Sequence, residues 1–390
     1  MPKIPFLFFR FLVSKMLVSI LFSAFTVFFL WEIVETYHSV FLAGLVATIY
    51  LVVQMLVSVP VGHMIDRMNS TVIGMIGSVI VLLSPLLLTT GYTLQVVYSS
   101  TVLITVGWTM KGDSFSATIK KHLSEDQFMA SNSFNLAATY AASLTGTALG
   151  GAAILYFARL FPYLLLVTAL ASLLLSMPVS EEMPRRGHSR VVGELASSLA
   201  FFRKIVGFLV IAFVLNGLFM ALDVYSSGLF HIILHSNAIF YTLFVMSIPV
   251  GGIFGSFLAN FFKNSIQRPF TVASLVLLFA PMFLVLGISR NAVADVIDAL
   301  LLGLLLPVIN LPLNVKLMKI VPSRTYGKIM AFLRIFVGGS TPAMAALFSF
   351  IAIYFPVSEV LLYVGILLFP LTGLSYIVLP RFMNMRPEED

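Results

Sequence analysis

The sequence predicts an all-α polytopic membrane protein: twelve transmembrane helices in two parallel six-helix repeats, with both termini cytoplasmic. Three observations carry this. Apolar runs of about twenty residues recur from end to end, the length a helix needs to cross a bilayer. Of 390 residues 59% are hydrophobic and 10% charged, and the mean hydropathy is +1.04. A unit spanning helix four, a loop and helix five reappears six helices later.

The first run, "FRFLVSKMLVSILFSAFTVFFLW", is too long for a signal peptide and has no small-residue cleavage site, so it is expected to remain as the first span. Five more spans are expected near 39–61, 71–90, 95–118, 132–157 and 160–178. After a polar break come six others, near 205–230, 237–261, 270–289, 293–317, 327–354 and 358–380. The break, Ser180–Lys204, carries charges of both signs and divides the chain into a six-helix bundle at 1–179, a cytoplasmic linker at 180–204 and a second bundle at 205–390. Within it, "VVGELASSLAFF" has helical spacing and suits either an amphipathic surface helix or a solvated linker.

With the N-terminus inside, the basic residues fall almost wholly on inner junctions and termini, and only Arg159 and Arg290 fall outside. This is the positive-inside pattern. It also explains the net charge of +7 without a nucleic-acid partner, because the basic residues are spread over many short loops.

The repeat is clearest where "KKHLSEDQFMASNSF" and its following "ILYF" are matched by "LMKIVPSRTYGKIMAF" and "AIYF". The pairs Phe134/Phe332 and Phe157/Phe355 are both offset by 198 residues, and Gly107/Gly303 nearly so. A spacing of six helices preserves orientation, so the halves read as parallel repeats, an arrangement that places substrate at their midplane interface.

Charged residues inside spans are costly and hence functional candidates. Lys111 and Asp113 lie in the inner third of helix four. Asp223 on helix seven and Glu32 at the outer end of helix one are candidates for a titrating group, with solvated positions at the outer mouth as the alternative. Gly62 and Asp66 in "VPVGHMIDRMNS" suit a latch: the glycine lets another helix approach, and the acid can face a neighbouring helix N-terminus. Glycine-rich "SLTGTALGGA" and "VGGSTPAMAAL" suit close helix packing. The absence of cysteine excludes thiolate chemistry, and no phosphate-binding loop is present to run on ATP. Of the six histidines only His231 and His235 have metal-like spacing, without a nearby Glu, so neither metal nor cofactor is expected.

"GHMIDRMNS" resembles the motif between the second and third helices of the major facilitator superfamily. Gly62, Asp66 and Arg67 match its first specified positions, and Asn69, Ser70 and Thr71 replace its basic end. "LSEDQFMASNSFNLAATYAASLTGTALGG" resembles the fifth-helix segment of the branch of drug, macrolide and siderophore exporters. Gly146, Gly150 and Gly151 match there, and Thr147 stands in place of a proline.

The resemblance implies a cytoplasmic gate of Gly62, Asp66, Arg67 and Asp113, with Asp66 facing helix eleven. It implies a cavity lined by helices one, four, seven and ten, where mid-depth residues include Ser23, Thr26, Trp108, Lys111, Asn216, Asn310 and Asn314. It also implies a secondary active transporter working by alternating access: proton-coupled efflux of small amphipathic molecules, with Asp223, Asp113 and Glu32 as coupling candidates. A lipid or lysolipid translocator, or a membrane sensor or assembly protein that transports nothing, remains the alternative. The expected setting is a monomer in the plasma membrane, in contact with the lipid bilayer.

Overall fold

A computed structural model describes residues 6–122, 125–179, 195–261, 268–321 and 326–385. Among the described residues the helices form twelve rods. The first six are α1 (Phe6–Tyr37), α2 (Val40–Arg67), α3 (Ser70–Leu88), α4 (Leu94–His122), α5 (Glu125–Ala152, extended by a π turn, Ala153–Phe157) and α6 (Phe161–Leu175). Next come α7 (Leu195–Leu218, resumed as Met220–Gly228 and a π turn, Leu229–Ile233), α8 (Ala238–Phe261) and α9 (Pro269–Leu277 and Phe279–Ile288). The last three are α10 (Ala292–Ile320), α11 (Tyr326–Ile351) and α12 (Val357–Met383).

Nine helical segments among the described residues are long and apolar enough to cross a bilayer, one of them running from α5 through α6. Large apolar side chains stand on their outer surfaces, including Phe261 at 85% exposure, Val59 at 72% and Phe257 at 70%. In water such a surface would aggregate; in lipid it is the ordinary outside of a helix bundle.

Two segments differ from the sequence reading. Residues 195–204 are not a separate surface helix but the first turns of α7, because no glycine or proline interrupts the chain from Leu195 into the span. The stretch Gly62–Arg67 is not loop but the last turns of α2, and only Met68 and Asn69 separate it from α3. Pro307 and Pro312 lie inside one continuous helix.

The chain forms two compact units. Unit 1 comprises Met1–Thr36 and Val46–Arg186; unit 2 comprises Tyr37–Leu45 and Gly187–Asp390. Unit 2 thus includes the turn after α1 and the first residues of α2.

Unit 1 packs on bulky aromatics and small residues. Phe28 stacks on Phe161, ring centres 4.2 Å apart, joining α1 to α6. The α3–α4 crossing is closer: a Cβ at Gly107 would lie 2.4 Å from the Gly77 carbonyl oxygen. In unit 2 a cluster of Ile205, Leu209, Leu317, Ile320, Ile329, Leu333 and Phe382 closes the inner ends of α7, α10, α11 and α12. Lys316 Nζ there donates to the Met385 carbonyl at 2.6 Å. Gly303, the repeat counterpart of Gly107, makes its close backbone approach to Ile248 of α8.

Candidate functional site

Unit 2 encloses a cavity of about 430 Å³, within the range of small-molecule sites. Its walls are apolar side chains of α7, α9, α10, α11 and α12, among them Ile211, Phe219, Phe279, Ile309 and Val337. Three amides interrupt them: Asn216, Asn310 and Asn314. Asn310 and Asn314 are one turn apart on α10, so they share a face. Both are exposed into the opening and hydrogen-bond to no protein group among the described residues. The Asn216 amide nitrogen donates to the Val337 carbonyl at 3.1 Å and to Ser340 Oγ at 3.4 Å. Tied to α11 in this way, it keeps its carbonyl oxygen as an acceptor. Among the described residues no charged side chain lines the cavity, so it offers donors and acceptors without the electrostatics to hold an ion.

The outer end of unit 2 is tightly seated. A Cβ at Gly44, near the start of α2, would lie 2.4 Å from Ser349 Oγ and 2.9 Å from Val224 Cγ1. A Cβ at Gly228 on α7 would lie 2.4 Å from Val40 Cγ2. The start of α2 therefore fits against α11 because α2 is bare at Gly44, and against α7 because α7 is bare at Gly228.

Two carboxylates near this end were not among the sequence candidates. Asp295 and Asp298 lie one turn apart in α10, 0% and 7% exposed. Neither oxygen of Asp295, nor Oδ2 of Asp298, has a hydrogen-bond partner among the described residues. Ser289 and Arg290 of the preceding turn act on Asp295, and Asp295 acts on Asp298. Behind Asn291, which caps the helix by accepting from Val293 and Ala294 N–H, Asp295 reads as an ordinary first-turn acid favoured by the helix dipole, with Asp298 one turn further in. Their burial is invisible at that level. Asp223 is half-buried on α7, close enough to Tyr241 of α8 to act on it.

Unit 1 carries the residues of the expected gate. A Cβ at Gly62 would meet nothing within 4 Å among the described residues. The Asp66 side chain lies outside the described residues. Arg67 and Asp113 are exposed.

The three residues that replace the motif's basic end form a clasp within unit 1. Asn69 caps α3, its Oδ1 accepting from Thr71 N–H at 2.8 Å and Val72 N–H at 3.4 Å, and its Nδ2 donates to the Val179 carbonyl at 2.7 Å. Thr71 Oγ1 accepts from Val179 N–H at 3.1 Å, and Ser70 Oγ pairs with Thr118 Oγ1 of α4 at 3.0 Å. The clasp fixes the chain where it leaves α6. Thr71→Val should leave the Val179 N–H unsatisfied and cost about 1 to 3 kcal/mol, while Thr71→Ser retains stability. Thermal unfolding in detergent reads the difference, and equal midpoints would remove the clasp.

Lys111 is buried at 3% exposure, and its ammonium donates to Ser176 Oγ. Ser176 pairs with Ser14 and Ser78, each at 2.8 Å, and Ser14 with Ser172 at 3.0 Å. Arg10 donates to the neighbouring Met177 carbonyl at 2.6 Å. Two basic side chains thus stand at the C-terminal end of α6, where the helix dipole favours positive charge. The signal for this cluster was present in isolated serines within apolar runs, where hydroxyls can bond across helices.

Trp108 stacks on Phe22, ring centres 4.6 Å apart at 10°, and Tyr50 meets Phe22 edge-on at 5.5 Å. Trp108 Nε1 donates to Ser19 Oγ at 3.4 Å. Thr26 bonds its own helix at the Phe22 carbonyl, 2.9 Å away. Ser23 packs on α5: a Cβ at Gly146 would lie 2.4 Å from the Ile20 carbonyl oxygen and 2.7 Å from Ser23 Cβ. Gly150 likewise faces Ala24, with a Cβ 2.6 Å from its carbonyl oxygen, and Gly151 is buried. Glu32 is half-buried beside Glu35, which accepts from Trp31 Nε1 at 2.6 Å. Tyr92, in the turn before α4, donates to the Ala158 carbonyl at 2.7 Å. Burial, helped by Glu32, raises its phenol above the ordinary tyrosine range.

No curated protein sequence matches the chain. Among solved structures it is similar to a bacterial homologue of the human lysosomal transporter Spinster in an inward-facing, unoccupied conformation. The TM-score is 0.76 and the identity 11%, with 100% of both chains covered. It is also similar to the peptide transporter POT in complex with sulfate, with TM-score 0.75 and 13% identity over 98% of this chain and 96% of that one. A third is a point mutant of the nucleoside transporter NupG, with TM-score 0.74 and 10% identity over 96% of this chain and 99% of that one. At such identities these likenesses establish the fold alone. The sequence pattern of the Major Facilitator Superfamily matches residues 11–346. By that match the chain belongs to the major facilitator superfamily, and it is a multi-pass membrane transporter.

Proposed function

We propose that the protein is a secondary active transporter that moves small, uncharged amphipathic molecules by alternating access, outward across the plasma membrane and in exchange for protons. The cavity of about 430 Å³ carries this reading, with three amides in an apolar wall and no charged lining residue among those described. Such a lining rewards a substrate with an apolar body and one or two hydrogen-bonding groups, and gives an ion nothing to offset its desolvation. The outward direction rests on the resemblance of α5 to the exporter branch. The coupling ion rests on the buried acids of α10, Asp295 and Asp298, and on the half-buried Asp223 of α7. The protein acts as a monomer in the bilayer.

Purified protein in liposomes, given a pH gradient and a panel of neutral amphipathic solutes, tests this directly. Asn310→Leu and Asn314→Leu should each weaken a hydrogen-bonding substrate by about tenfold or more in KM, and leave an apolar analogue little changed. Flux of permanently charged solutes alone would overturn the reading. The apolar share of the lining also suits a lysolipid; movement of a fluorescent lysolipid, with no flux of soluble solutes, would favour that cargo instead.

A further inference from the structure

The cavity of unit 2 holds one amide in a fixed orientation. Asn216 of α7 faces α11, and the two groups it meets there are both acceptors. The Val337 carbonyl oxygen, 3.1 Å from Asn216 Nδ2, has no proton to give. Ser340 Oγ lies 3.4 Å from the same nitrogen. Its single proton goes to the Val337 carbonyl at 2.7 Å, which leaves lone pairs toward Asn216. With the amide reversed, its oxygen would stand against the Val337 carbonyl oxygen and both bonds of the nitrogen would be lost. Oδ1 therefore turns away from α11. Asn216 lines the cavity, and among the described residues Oδ1 neither receives a protein donor nor is buried without one.

The other two amides carry no such constraint. Asn310 and Asn314 of α10 are exposed into the opening, so each can turn to present its nitrogen or its oxygen. The α7 side of the cavity thus offers an acceptor, and the α10 side adapts. The polar groups also stand apart from the inner end. Phe208 lies a little over two turns, about 12 Å, further in along α7 than Asn216, and Leu317 about two turns further in along α10 than Asn310. Together with Leu333 of α11 and Leu379 of α12, they make that end of the lining apolar.

We propose that the substrate is a neutral amphiphile whose polar head carries an N–H or O–H donor seated on Asn216 Oδ1, with its apolar part running inward toward Phe208 and Leu317. The proposal rests on the reading of this cavity as the transport site. A secondary amide or an alcohol meets the requirement. An ester, an ether or a tertiary amide leaves Oδ1 unpaired in a site from which the substrate has displaced water, and a site built to accept a hydrogen bond rejects an analogue lacking the donor. Asn216 is then the residue that sets specificity for the head group.

Calorimetric titration of the full chain in nanodiscs with N-octylacetamide and with octyl acetate tests this, with empty nanodiscs as the blank for partitioning into lipid. The two probes share a shape and differ by N–H in place of an oxygen atom. The amide should bind about tenfold or more tighter than the ester. Asn216→Leu should bring the amide down to the affinity of the ester, and Asn310→Trp, which fills the opening from an exposed position, should abolish binding of both. Equal wild-type affinities, or a preference for the amide that survives Asn216→Leu, would overturn the donor requirement and leave the cavity as the site if Asn310→Trp still blocks. Binding that Asn310→Trp leaves unchanged, or no binding of either probe, would overturn the cavity reading and the donor requirement with it. The wild-type comparison does not depend on any variant folding.

Discussion

Gly303→Leu should prevent the protein from accumulating as a folded species in the membrane. A Cβ at this position would sit 2.1 Å from the Ile248 carbonyl oxygen and 2.8 Å from that residue's Cα, both backbone atoms of α8. The approach is reciprocal: a Cβ at Gly251 would lie 2.2 Å from the Leu300 carbonyl oxygen, and one at Gly255 2.1 Å from that of Leu304. No side chain can swing aside, so the two helices would have to part by on the order of 1 Å along their length, losing dispersion contacts throughout. In lipid those contacts are much of what holds helices together, because there is little hydrophobic drive between them. We expect a loss of about 3 kcal/mol or more, read as loss of the monodisperse peak on size-exclusion chromatography. Gly373→Ala, at a position with nothing within 4 Å, serves as the control and should stay within about 0.5 kcal/mol of wild type. A well-folded Gly303→Leu protein would show that α8 and α10 do not pack this closely.

Asp295→Asn should abolish substrate accumulation driven by a pH gradient while leaving gradient-free substrate exchange intact. A carboxylate buried without a partner costs several kcal/mol unless it takes up a proton, whereas an amide of the same shape carries no charge to neutralise. Neither oxygen of Asp295 meets a hydrogen-bond donor at bonding distance among the described residues, Ser289 and Arg290 of the preceding turn act on it from further off, and Asp298 stands one turn further along the same face. The asparagine variant is fixed in the neutral form and cannot complete a proton cycle. The expected effect is a fall in pH-driven accumulation of about tenfold or more, with Asp298→Asn affected in the same direction. Unchanged accumulation in both variants would move coupling to Asp223, Glu32 or another ion.

Much of the architecture was legible in the sequence because a membrane imposes a simple code. Long apolar segments, basic inner junctions and a repeated helix–loop–helix unit follow from lipid thickness, charge cost and gene duplication, and each reads one-dimensionally. The site was less legible. Asn216, Asn310 and Asn314 could be recognised as polar groups in mid-span, since amides are rare there. Asp295 could not be recognised as buried, because an acid in the first turn of a helix has a complete local explanation.

The sequence alone determined the membrane class, the helices and the side of the membrane on which charge collects, because those depend on the composition of single segments. Only the tertiary structure decided that three asparagines line one cavity, that Asn69 and Thr71 clasp the end of α6, that two acids of α10 lie buried, and that Asn216 turns its amide nitrogen to α11. Each of these depends on which surface another helix covers, and backbone approaches as close as those at Gly303 and Gly251 set that surface.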